Sequence, residues 1–152
     1  MNFRILLPSV ALLLAGWLPL GAMAEDSTEV GNYTVHHNAF TTDTLVPAVA
    51  KQYGVTRSKN MAILNVVVLE KTMGKETQPL APVPADIKAS AANLTGQLRD
   101  LELREIREGN SIYYIAEFRV ADQETLDFTL GVTPKGAKEG FTVKFRQQFF
   151  TN

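Results

Sequence analysis

The chain has 152 residues with 45% hydrophobic content, no cysteine and a formal net charge of −1. Without cysteine there can be no disulfide, thiolate metal site, cysteine nucleophile or lipidated N-terminal cysteine. The near-neutral balance lacks the basic surplus expected of a nucleic-acid-binding domain.

The first 24 residues have the layout of an export leader. Arg4 precedes an apolar run from Ile5 to Leu20, and Ala22-Met23-Ala24 supplies a small-x-small cleavage site. A spanning helix needs roughly 20 apolar residues, whereas this run is shorter and is broken by Pro8 and Pro19. The expected mature chain therefore starts at Glu25, after cleavage behind Ala24. It forms one domain over 25–152, has no later membrane span, and resides in the periplasm of a Gram-negative cell. With no disulfides available in that compartment, the apolar core alone must hold the fold.

Glu25 to Gly31 is short, polar and acidic, and reads as a loose terminus. From Tyr33 the pattern alternates: Tyr33, Val35, His37 and Ala39 share one face of a half-buried strand. Pro47 and Gly54 bracket a short helix over 47–53, proline suiting a first helical position and glycine the residue past the end. Met61 to Leu69 is apolar on both faces and rich in β-branched residues, as in a strand covered on both sides. Thr72 to Ala85, with three prolines, reads as a long loop. Asp86 to Asn93 alternates weakly through small residues.

The last third is the most regular. Leu98 to Arg107 and Ser111 to Ala121 flank the turn Glu108-Gly109-Asn110. Leu126, Phe128, Leu130 and Val132 alternate with polar residues, as do Phe141, Val143, Phe145 and Phe149. These segments read as a four-strand antiparallel meander with one wet face. Seven strands and one short helix predict an all-β antiparallel sandwich, immunoglobulin-like in strand count only, with a half-open barrel as the second choice. An outer-membrane barrel does not fit, because the alternate faces carry Glu117, Arg119, Lys144 and Arg146.

No catalytic pattern is present. None of the serines stands in G-x-S-x-G or S-x-x-K, and there is no H-E-x-x-H and no phosphate-cradling glycine loop. An enzyme would require carboxylates such as Asp43, Glu70 and Asp127 to meet in one cleft, so the expectation is a non-enzyme without a cofactor. His36 and His37 are adjacent on a strand and point to opposite faces, which predicts no shared metal. His37 should be packed and His36 solvated. Asn65 interrupts the most apolar run, and a buried amide must find partners or cost about 1–3 kcal/mol. It is either a structural tie or a polar anchor in a pocket, with Arg57 and Ser58 upstream as co-ligands for an anionic group. Cross-strand charges on the meander explain Glu117, Arg119, Lys144 and Arg146 as surface pairs. With Tyr113 they also make a candidate docking face.

Arg57-Ser58-Lys59-Asn60 leading into Leu64-Asn65-Val66, then Asn93-Leu94-Thr95-Gly96-Gln97, Ile106-Arg107-Glu108 and Ile112-Tyr113-Tyr114, together resemble DUF4426. That is a family of small exported gammaproteobacterial proteins classed as a domain of unknown function. The resemblance implies an exported single domain and transfers no catalytic residue.

Two functional expectations follow. The first is a binding module for a protein partner in the cell envelope, with contacts at Tyr113, Glu117, Arg119, Lys144 and Arg146. The second is a small-ligand binder using Arg57, Ser58 and Asn65.

Overall fold

The structure is a computed structural model that describes residues 26–72 and 80–152. The expected leader and cleavage site lie outside the described residues, as does the middle of the proline-rich loop. Among the described residues ten strands form two antiparallel sheets. The first sheet holds β1 (Asp26–Val30), β2 (Tyr33–Thr41), β3 (Met61–Lys71), β8 (Ser111–Arg119) and β7 (Arg104–Glu108), in that order. β4 (Leu80–Pro82) also pairs with β3. The second sheet runs β10 (Phe141–Gln148), β9 (Thr125–Pro134), β5 (Ala85–Asn93), β6 (Leu98–Leu101).

The alternating residues read from the sequence do form the core. Val35, Leu64, Val66 and Val68 of the first sheet face Ala91, Leu126, Phe128, Leu130, Val132 and Val143 of the second, all essentially without exposed surface. Burial of this size dominates the stability of a disulfide-free domain. The sheets remain separate, so the architecture is a sandwich and not a half-open barrel.

Three differences raise the strand count from seven to ten. The acidic terminus is no loose end: β1 turns at Gly31, whose φ is +58°, and pairs along β2 from Asp26↔His37 to Val30↔Tyr33. An edge strand draws its stability from backbone pairing and tolerates polar side chains. The end of the proline-rich segment forms β4 against β3, with Pro82 opposite Leu69 and the Val83 amide donating to the Val68 carbonyl at 2.9 Å. Leu98 to Arg107 is not one arm. It breaks at Glu102-Leu103, leaving β6 in the second sheet and β7 in the first.

The four-strand meander is therefore replaced by two hairpins in different sheets. β7 and β8 pair around Gly109-Asn110, and β9 and β10 pair from Val132↔Phe141 to Thr125↔Gln148. β8 does not pair with β9; the chain crosses from sheet to sheet through Val120 to Glu124. That crossing is fixed by a tight turn with Gln123 at φ +58°. The Glu124 carboxylate accepts from the Ala121 amide at 2.9 Å and pairs with Arg99 of β6 at 2.6 Å.

The expected helix is present as α1 (Pro47–Gln52), with Pro47 in its first turn and Gly54, at φ +66°, just beyond its end. It lies on the outer face of the first sheet. There Ala50 and Val55 form a second apolar cluster with Ile63 and Ile115.

Candidate functional site

Strand alternation sends Phe40 of β2, Ile63 and Asn65 of β3, Tyr113 and Ile115 of β8 and Ile106 of β7 away from the main core. Their register brings them together. Ile63 lies opposite Phe40, Asn65 lies between Asn38 and Ile115, and Ile106 lies opposite Tyr113. The chain after β2 then folds back over this surface as a 3-10 turn (Thr42–Thr44), Leu45 and α1. Between this cover and the sheet is a cleft of about 190 Å³, walled by these side chains and by Leu45, Val49 and Tyr53.

The cover is fastened at both ends. At its start Thr42, fully buried, shares its one hydroxyl proton between the carbonyls of Thr56 (2.8 Å) and Ser58 (3.1 Å) and accepts from the Ser58 amide at 2.9 Å. The Arg57 guanidinium donates to the Asp43 carbonyl at 2.7 Å. At its far end the Tyr53 hydroxyl donates to Glu108 at 2.5 Å, and the Gln52 amide donates to the same carboxylate at 3.2 Å. Arg104 donates to the Tyr53 carbonyl and lies 3.5 Å from Glu117. The bond to Glu108 pushes the Tyr53 phenol up to about 12, with burial adding to it. Donation from Tyr53 and then Gln52 holds the Glu108 carboxyl below its usual range.

Besides Tyr53 and Tyr113 with their hydroxyls, the polar residue in the lining of the cleft is Asn65. Its side-chain oxygen is shielded from solvent and has no hydrogen-bond partner, a state that costs about 1–3 kcal/mol. No structural tie explains this residue, and it lies on the wall of a cleft.

The sequence-based candidates divide. Asn65 and Tyr113 line the cleft. Arg57 and Ser58 do not; they fix the loop before β3 through the bonds just described. Glu117 and Arg119 project from the same outer face, next to the cleft. Lys144 and Arg146 project from the outer face of the second sheet, on the opposite side of the sandwich, where Arg146 forms a two-pronged pair with Asp127 at 2.6 and 2.8 Å. The single docking face expected from a meander is thus split in two by the β8–β9 crossing. Tyr53, Glu108 and Thr42 carry no sequence signal as site residues, and Arg104 reads from the sequence only as one of the meander's surface charges. Nothing in their local pattern signals that they converge on a helix distant from β7 and β8.

His37 faces the core, 3% exposed, and shares a hydrogen bond with the Thr28 hydroxyl at 3.1 Å. Burial lowers its pKa, partly offset by Asp26. His36 points to the opposite face and is half-buried, not solvated as expected. Among the described residues no three His, Cys, Asp or Glu side chains converge in a way that could hold a metal ion. Asp43, Glu70 and Asp127 are also dispersed: Asp43 sits in the 3-10 turn, Glu70 near the far end of β3, and Asp127 on the second sheet.

The family described as "Domain of unknown function (DUF4426)" matches residues 27–152. The chain belongs to the DUF4426 family. A crystal structure of a DUF4426 family protein, PA0388 from Pseudomonas aeruginosa PAO1, is 38% identical with a TM-score of 0.69, covering 84% of this chain and 96% of that one. Two more distant structures share the fold. FetP of uropathogenic Escherichia coli strain F11, recombinantly expressed in the periplasm of E. coli, is 11% identical with a TM-score of 0.59, over 83% of this chain and 93% of its own. A copper-bound variant of Campylobacter jejuni P19 is 12% identical with a TM-score of 0.53, over 82% and 94%. Among curated proteins none matches the chain at a significant level. No helix among the described residues is long and apolar enough to cross a membrane.

Proposed function

We propose that this DUF4426 protein is an exported, non-catalytic binding module of the cell envelope that engages a protein partner through the outer face of its first sheet. The carrying observation is the cleft under α1, an apolar depression with one shielded, unsatisfied acceptor at Asn65. Tyr113, Glu117 and Arg119 surround it on the same face, giving the aromatic and charged mixture typical of contact surfaces. Export is supported by the leader pattern of residues 1–24.

The copper bound by FetP and P19 variants raises copper binding as an alternative. The donors among the described residues do not fit it. The two histidines lie on opposite faces of β2, and His37 is enclosed against Phe145. The lining of the cleft holds no cation, which favours a neutral group over an anionic one.

Affinity capture from periplasm with the mature domain tests the reading. A specific, saturable partner is expected, lost in Tyr113→Ala and Glu117→Ala and retained in Lys144→Ala and Arg146→Ala. Equal loss from both faces, or a partner that ignores Tyr113, would contradict it.

A further inference from the structure

We propose that β7 is a self-recognition edge, through which two copies of this chain pair antiparallel and join their first sheets across a two-fold axis at Ile106. The proposal does not rest on the module reading.

Among the described residues the two sheets end on β1, β7, β10 and β6. An end strand leaves half of its backbone N–H and C=O groups without a ladder partner, which makes it a template for another chain. β7 pairs only with β8, and the two-residue turn Gly109-Asn110 closes that hairpin at Glu108↔Ser111. Such a turn closes on a hydrogen-bonded pair. The ladder with β8 therefore uses the backbone of Glu108, Ile106 and Arg104, and that of Glu105 and Arg107 faces outward. The four residues around Ile106 in β7 are all exposed.

The order of the side chains decides what can pair there. β7 reads Arg104-Glu105-Ile106-Arg107-Glu108. Antiparallel pairing with a second copy about Ile106 sets each Arg104 against a Glu108 and each Glu105 against an Arg107, with the two Ile106 residues opposite each other. The two-fold axis keeps every side chain on its own face, so the register can slip only to settings that put Glu105 on Glu105 or Arg107 on Arg107. Like charges directly opposite are destabilising, and one register is selected. The other end strands do not complement themselves. β1 has only acidic charges, Asp26 and Glu29, and β10 only basic ones, Lys144 and Arg146. In β6 a two-fold axis sets Arg99 on Arg99 or Asp100 on Asp100. Charges of that kind block an edge, whereas those of β7 recognise a copy of it. They are also held in place beforehand: Glu105 pairs with Arg107 within the chain and accepts from the Tyr114 hydroxyl at 3.2 Å. Edge pairing leaves both sheet faces open, and it carries the two α1 clefts to the same side of one continuous sheet.

Five residues make a short seam, so the dimer should be weak, with a dissociation constant on the order of 100 µM. Sedimentation velocity of the mature protein, at concentrations spanning that value, should show monomer giving way to dimer. Glu105→Arg and Arg107→Glu each create two like-charge pairs across the axis, and each should weaken the dimer about tenfold. Mixed in equal amounts, the two variants should regain the wild-type strength, because each reversed charge then meets an opposite one on the other chain. A change in fold would give no such rescue. A protein that stays monomeric throughout, a dimer that neither variant weakens, or a weakening that mixing does not repair would each overturn the inference. Partner capture through Tyr113 tests the module reading separately.

Discussion

The imidazole of His37 lies on the ring of Phe145, with centroids 4.4 Å apart and planes 24° from parallel. Phe145 in turn stacks on Phe128 at 4.7 Å, so a histidine on the first sheet is built into an aromatic column that reaches the second. Burial there lowers its pKa below the ordinary 6.5, against Asp26, which faces it from β1 and acts to raise it, and with His36 adding to the lowering. The unfolded chain then binds more protons than the folded one just below pH 6.5. The stability due to the neutral ring is complete above that pH and is lost as the pH falls towards the folded value. Urea titrations across this range should show stability declining with acid, and His37→Phe should flatten the decline. A decline unchanged in that variant would place its origin elsewhere.

The same column predicts where truncation is most costly. Phe128 is 1% exposed and contacts Phe118, Phe145 and Phe149. Phe128→Ala should cost about 3–5 kcal/mol by denaturant unfolding. Leu94, 68% exposed, should change stability by less than about 0.5 kcal/mol when replaced by Ala. Similar costs at the two positions would contradict the described core.

The attachment of α1 can be read from one phenol. The Tyr53 phenol is pushed up to about 12 because Glu108 accepts its hydrogen bond. In Glu108→Gln the Tyr53 signal, followed by carbon-13 NMR, should move back towards 10. Tyr114 is also raised, chiefly by burial, and should keep its shift. Failure of Tyr53 to respond would mean that the helix is not held to β7 through this carboxylate.

Thr42 and Arg57 separate scaffold from site. Thr42→Val removes a buried hydroxyl that serves three backbone groups of the loop and should destabilise by about 1–3 kcal/mol. Arg57→Ala removes one bond to the Asp43 carbonyl and should leave partner capture by the outer face of the first sheet unchanged, as affinity capture would show. Loss of binding in Arg57→Ala with the fold intact would restore the anionic-ligand reading of Arg57, Ser58 and Asn65.

Much of the sandwich is legible in the sequence because burial imposes period-two alternation on β2, β8, β9 and β10, and a continuous apolar run on β3. β1 is hidden because an edge strand pairs through its backbone and its polar side chains carry no period. β4 is hidden by its proline neighbours. The division of Leu98 to Arg107 and the crossing at Asp122-Gln123 depend on long-range pairing, and a short turn serves a hairpin or a sheet change equally well. Asn65 is conspicuous as a polar break in an apolar run. Its cleft is assembled from four strands and a helix, and that assembly appears only in three dimensions.

The account turns on which face of the sandwich does the binding. A photo-crosslinking phenylalanine analogue placed at position 113, beside the cleft, can be compared in living cells with one at position 144 on the opposite sheet. The account predicts a discrete cross-linked partner from position 113, competed away by excess unlabelled domain, and none from position 144. Cross-linking from position 144 alone, or from neither, would contradict it.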